Sequence, residues 1–199
     1  EGVSLNNNVT FKDGFIKNLK QLHQVDALNI ALNVVVEGGQ SLIFVESRKR
    51  AVSLARDASA ALNGVLSKRL LGELQKVSSE ILVHGEKTRL SDELAATMSM
   101  GAAFHHAGLR TEHRRLVEDT FRSGKIKILV ATPTLAAGVN LPARAVVVGS
   151  YRRFVPGYGM YPISVMEYKQ MSGRAGRPQY DDFGEAILIA SSADELDSL

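Results

Sequence analysis

Cysteine is absent from the 199-residue chain, which excludes disulfides and any thiolate metal site. Such a composition suits a reducing compartment, and the cytoplasm is the expected location. No apolar stretch approaches the roughly 20 residues that cross a bilayer, and no leader pattern opens the chain. No membrane partner is expected. Three nucleotide signatures are also missing. There is no Gly-x-x-x-x-Gly-Lys-Ser/Thr phosphate loop, no Asp-Glu-x-His metal box, and no Gly-x-Gly-x-x-Gly after the first apolar strand. The last absence argues against a Rossmann-type enzyme acting on small molecules. A large excess of either charge is lacking too. The formal net charge is +3 and the pI about 9.2, a weak sign of a polyanionic partner.

Apolar residues make up 45% of the chain, enough for one sizeable domain with its own core. Short apolar runs alternate with amphipathic segments. Ser41–Glu46, Ala102–His105, Ile126–Ala131, Ala145–Gly149 and Glu185–Ala190 read as buried strands. Ala51, Leu54, Ala55, Ala58 and Leu62 recur at helical spacing, as do His113, Leu116, Val117, Thr120 and Phe121, with Thr111 as the expected cap and Gly124 as the stop. Strands between helices imply an α/β fold with a mainly parallel sheet and helices on both faces. Ligands of such folds bind at the carboxyl ends of strands, and the blocks that carry chemistry are expected to follow strands. Residues 63–100 read as a helical insertion. Residues 151–164, rich in aromatics around Pro156-Gly-Tyr-Gly159, read as a β-hairpin. Residues 1–15 read as a linker or edge ribbon. The chain opens on Glu1 rather than Met, so a piece of a longer polypeptide is expected.

The richest block is Gln170-Met-Ser-Gly-Arg-Ala-Gly-Arg-Pro178. Arg174 and Arg177 stand three residues apart, each after a glycine. On a helix, that spacing sends both guanidinium groups from one face. Arginine is permanently charged, and its planar fork matches phosphate oxygens. Gly173 and Gly176 allow close approach to the backbone. The pattern suits stabilisation of charge developing on a transferred phosphoryl group, although a structural salt bridge would use one arginine equally well. Three further blocks precede it: Phe44-Val-Glu-Ser-Arg-Lys49, Phe104-His-His-Ala-Gly-Leu109 and Val130-Ala-Thr-Pro-Thr-Leu-Ala-Ala-Gly-Val-Asn-Leu-Pro-Ala143. Consecutive histidines raise the question of zinc. No cysteine is available, no His-Glu-x-x-His spacing exists, and His113 sits too far along a helix, so no metal ligands are assigned. His23 and His84 have no interpretable context. Between Arg144 and Arg177, six basic residues face one acid, Glu167. A solvated face and a phosphate-binding face both fit that run.

In this order, the four blocks resemble the second RecA-like motor domain of superfamily 2 helicases, in the Ski-like group. The likeness is to archaeal repair helicases of the Hel/Hjm type, relatives of the helicase part of DNA polymerase theta, and it covers essentially the whole chain. The resemblance implies that Arg174 and Arg177 act as arginine fingers toward ATP, and that Gln170 arranges its phosphates or the attacking water. Gly138, Asn140 and Gly173 would lie at the nucleotide. Many superfamily members carry aspartate where Asn140 stands. Ser47, Arg48, His106, Gly108, Thr132 and Thr134 would touch the nucleic-acid backbone. In the hairpin, Arg152 and Arg153 would attract phosphates while Phe154, Tyr158 and Tyr161 stack on or wedge between bases. ATP and Mg²⁺ would be held mainly by a first motor domain that this chain does not contain. The implied partners are single-stranded and forked DNA, that first domain and accessory domains of the same chain, in a monomer moving 3′ to 5′. An RNA helicase of the same group would share most of these blocks. A non-catalytic module would have no use for two positioned arginines.

Overall fold

The computed structural model describes residues 1–83, 87–192 and 195. His84 lies outside them, with 85–86 of the expected insertion and 193–194 and 196–199 of the expected 16–199 domain. In chain order the elements are β1 (Gly2–Leu5), β2 (Asn8–Phe11), β3 (Ile16–Asn18), α1 (Asp26–Val36), β4 (Ser41–Phe44), α2 (Arg48–Ala61), α3 (Lys68–Val83), α4 (Arg89–Ser99), β5 (Ala102–His105), α5 (Thr111–Arg122), β6 (Ile128–Ala131), α6 (Thr134–Gly138), β7 (Ala145–Val148), β8 (Arg152–Val155), β9 (Gly159–Pro162), α7 (Val165–Ser172) and β10 (Glu185–Ile189).

Eight strands form one sheet in the order β3-β2-β1-β10-β7-β4-β6-β5. From β1 to β5 every pairing is parallel, while β2 and β3 extend one edge antiparallel. Each of β4, β5, β6 and β7 is buried at every position. Neighbouring side chains on a strand point to opposite faces, so both faces are covered. This is the mainly parallel α/β sheet that the apolar runs predict. α1 packs on β4 and β7, α2 on β5 and β6, and α5 on β5. α3 and α4 pack on each other, and α4 also reaches β5 and α2. Leu74, Ile81, Leu94 and Met98 thereby join the common core.

The amino-terminal ribbon turns at Asn6 and Asn7, both at positive φ. Asparagine tolerates that backbone region, and two such residues make the tight turn that suits strand twist. Two buried asparagines on α1 tie down the segment that follows β3. Asn29 Oδ1 accepts from the backbone N–H of Leu22 (2.7 Å) and His23 (3.0 Å). Asn33 Oδ1 accepts from Lys20 N–H at 3.1 Å, and its amide donates to Lys20 O at 2.9 Å. α5 begins on Thr111 instead of being capped by it. The preceding Arg110 makes no side-chain cap, and the Thr111 hydroxyl accepts instead from Arg114 Nη2 at 3.3 Å.

Candidate functional site

The loops leaving the carboxyl ends of β4, β6 and β7 enclose a cleft of about 460 Å³. Ser47, Arg48, Thr132, Thr134, Arg152 and Arg153 all line it. Ser47 caps α2 by accepting from Arg50 N–H at 3.1 Å. The hydroxyls of Thr132 and Thr134 lie 3.1 Å apart at the start of α6. Ala107 and Thr134 line both this cleft and a neighbouring recess of about 320 Å³, so the two lie side by side along one groove wall. Thr111, Arg114, Arg115 and Gly138 border the recess.

His106 does not reach this groove directly. It is 4% exposed and stacks on Phe104, with ring centroids 5.7 Å apart. Its Nδ1 accepts from Gly108 N–H at 3.1 Å. A Cβ at Gly108 would lie 3.0 Å from that nitrogen and 3.4 Å from Arg48 Nη1. His106 therefore shapes the turn beside Arg48. Burial, then the Arg48 charge, push its pKa below the usual imidazole value. His105 Nε2 lies 2.8 Å from Glu118 Oε1. Burial lowers its pKa against the opposing pull of Glu118.

β8 and β9 form an antiparallel hairpin that pairs Arg152 with Pro162, Arg153 with Tyr161, Phe154 with Met160 and Val155 with Gly159. Gly157 and Gly159 supply positive φ at the turn. Alternation places Arg152 and Phe154 on one face, Arg153 on the other. Phe154 is 67% and Tyr158 76% exposed. Tyr158 and Tyr161 meet edge to face at 6.2 Å. Both arginines already have partners: Arg153 Nη1 is 2.5 Å from Glu167, and Arg152 Nε 3.4 Å from Glu195. Exposed pairs of this kind contribute at most about 1 kcal/mol, so phosphates can compete for them.

The arginine block departs from the expected geometry in two ways. It follows α7 and precedes β10, instead of following a strand, and its contacts are at the amino ends of strands. Arg174 and Arg177 also lie off the helix that carries Gln170. α7 ends at Ser172, with Gly173 as its cap. Arg174 O then accepts from Ala143 N–H at 2.9 Å, and Gly176 N–H donates to Ala143 O at 2.7 Å. These bonds divert the backbone from helix, and Gly176 adopts φ +91°. The guanidinium groups consequently diverge. Arg174 Nη1 donates to Asn140 Oδ1 at 2.9 Å and Nη2 to Ala136 O. Its Nε is buried and bonded to nothing among the described residues. Arg177 turns toward Asp181 and Gln40. Gln170 is exposed on α7, as is Gly173 at its end.

Residues 64–179 match the family described as the helicase conserved C-terminal domain, more than half of the chain. The chain belongs to that family. Full-length relatives extend the match. The chain is 44% identical, over its whole length, to an ATP-dependent DNA helicase Hel308 of Methanocella arvoryzae, and covers 27% of that protein. It is 47% identical to the Hel308 of Caldivirga maquilingensis over 85% of the chain and 23% of the relative. For the Pyrobaculum calidifontis protein the identity is 44%, over the whole chain and 28% of the relative. The chain thus spans about a quarter of the length of the curated relatives it matches.

Within this helicase C-terminal domain, sequence reasoning passed over several residues. Arg114 and Arg115 border the recess, and their signal was an arginine pair on a helix just after the histidine block. Met160 faces Phe154 across the hairpin. Asp181 and Gln40 hold Arg177, and neither belongs to a recognisable block. Among the described residues no group of three or more His, Asp or Glu could hold a metal ion, and no helix is long and apolar enough to cross a membrane.

Proposed function

We propose that this domain is the second RecA-like motor domain of an ATP-dependent DNA helicase, working as a monomer in repair of forked and branched DNA and moving 3′ to 5′. The observation that carries the reading is the placement of α7. Glu167 in its first turn and Met171 in its last both line the groove, and its last residue leads into the arginine turn. One short rigid element therefore links a groove lined with hydroxyls and arginines to a second, cationic face.

The residues present suit a nucleotide's phosphates. Arg174 keeps a buried Nε–H with no acceptor among the described residues, and Asn140 beside it offers an amide to a ribose hydroxyl. Bound ATP with Mg²⁺, held mainly by the first motor domain, supplies the phosphoryl group whose transfer drives the motor. Arg174 and Arg177 present positive charge to its oxygens once the two motor domains close, and the groove residues grip the tracking strand. Grip that differs between open and closed states converts the cycle into movement. Residues 151–164 separate the duplex ahead.

The test is DNA-stimulated ATP turnover by the full-length protein beside its Arg177→Ala variant. Loss of an arginine finger costs about 10³–10⁵ in kcat, with nucleotide binding retained. The 199-residue chain alone should turn over ATP negligibly. Equal rates for parent and variant would refute the finger, and brisk turnover by the chain alone would refute the division of labour.

A further inference from the structure

Arg177 is held on three sides. Its Nε donates to Asp181 Oδ2 and its Nη2 to Asp181 Oδ1, both at 2.8 Å. Its backbone N–H donates to the same Oδ2 at 3.0 Å. Nη1 donates to Gln40 Oε1. Gln40 is buried, and its own amide donates to the carbonyls of Phe121 (2.7 Å) and Ile126 (2.6 Å), so its orientation is fixed from the sheet side. Asp181 is fixed as well. Its backbone N–H donates to Arg177 O at 2.8 Å, closing the turn between the two residues, and its side chain is only 6% exposed. Guanidinium carries five N–H donors. Three are committed to Asp181 and Gln40, which leaves one on each Nη.

A fold has little use for such an arrangement. A buried ion pair seldom stabilises more than an apolar pair of similar size would. For charge delivery the arrangement has a clear value. A free arginine gives up about 2 kcal/mol of rotamer freedom when it first engages a phosphate, and small errors in its position weaken catalysis steeply. A guanidinium already clamped side-on avoids both.

We propose that Asp181 is a positioning residue for Arg177: its carboxylate, seconded by Gln40, presets the guanidinium so that its outer Nη–H groups meet the phosphoryl oxygens. The inference rests on the reading of Arg177 as an arginine finger. The ion pair also holds the Asp181 carboxyl below its ordinary range and raises Arg177.

The experiment compares Asp181→Asn, Arg177→Ala and the double variant in the full-length protein, reading kcat and KM for ATP at saturating DNA together with melting temperature. Asparagine keeps the shape but opposes an N–H₂ to the arginine donors. A drop in kcat of about 10- to 100-fold, with KM within about twofold, is expected. The double variant should fall no further than Arg177→Ala alone, because both changes remove one function. A purely structural Asp181 would lower the melting temperature and leave kcat intact at a permissive temperature. An unchanged kcat in Asp181→Asn beside a collapsed Arg177→Ala overturns the proposal and spares the finger. Losses that multiply in the double variant also overturn it. An unchanged Arg177→Ala removes the finger itself. Should Asp181→Asn melt below the assay temperature, Asp181→Glu keeps the charge but displaces the guanidinium by a methylene. Its kcat must fall at constant KM, and parental kcat would overturn the proposal.

Discussion

Removing the two exposed rings of the hairpin, Phe154→Ala with Tyr158→Ala, should uncouple strand separation from ATP turnover. Both side chains face solvent, and neither belongs to the core. Their loss should therefore change stability by no more than about 0.5 kcal/mol each. Stacking of a base on an aromatic side chain contributes about 1–3 kcal/mol. If one ring engages the base at the duplex junction, its removal slows unwinding by roughly 5- to 150-fold, since 1.4 kcal/mol is tenfold. The groove residues Ser47, Thr132 and Thr134 stay intact, as do Arg174 and Arg177. ATP turnover stimulated by single-stranded DNA should thus remain within about twofold of the parent. The assay follows release of a fluorescent strand from a forked duplex under single-turnover conditions, beside ATPase on single-stranded DNA. Each single variant then shows which ring carries the effect. Unwinding at the parental rate would refute the wedge. A parallel fall of both activities would refute the separation of hairpin and motor chemistry, and would make 151–164 part of the grip on the tracking strand.

Two further outcomes follow from the geometry. Burial lowers the pKa of His105 and of His106 below the usual imidazole value of about 6.5. The unfolded chain thus takes up protons that the fold refuses, so stability should be full above about pH 6.5 and fall on acidification by at most about 1.4 kcal/mol per pH unit per histidine. Urea midpoints at pH 5 to 8 measure this. His105→Gln with His106→Gln should flatten the slope between pH 5 and 6.5, and an unchanged slope would assign it to other groups. At Gly184 a Cβ would lie 2.3 Å from Gly176 N and 2.5 Å from Ala175 C, backbone atoms that cannot swing aside. Gly184→Ala should cost about 1–3 kcal/mol, or roughly 2–12 °C in Tm. It should also depress ATP turnover by the full-length protein, since it displaces the arginine turn. A variant with parental Tm and turnover would show that the turn yields.

The fold was legible because its strands are short apolar runs with polar or glycine boundaries. A central parallel strand must be apolar on both faces, and Leu42-Ile-Phe44 and Val146-Val-Val148 satisfy that without any long-range information. Less legible were the features that depend on partners distant in sequence. Asn29 and Asn33 break the apolar pattern of α1, and the chain around residues 20–23, with Asn7, explains them. The same limit governed the arginine block. Residue types and spacing pointed to paired cations at a phosphate, and spacing also suggested one helical face. Past Ser172 the helix tightens into bonds from Arg174 and Ala175 to the third residue back, and Ala143, some thirty residues upstream, then takes Arg174 O and Gly176 N–H. The guanidinium groups then find Asn140 on one side and Asp181 with Gln40 on the other. Local spacing describes which charges a block carries. The direction in which those charges point is set by acceptors elsewhere in the chain, and Gln40, a polar residue just before β4, carries no local mark of that role. A polar residue at the boundary of a buried strand is therefore worth asking about, because its side chain is close enough to the core to be held and close enough to the edge to hold something else.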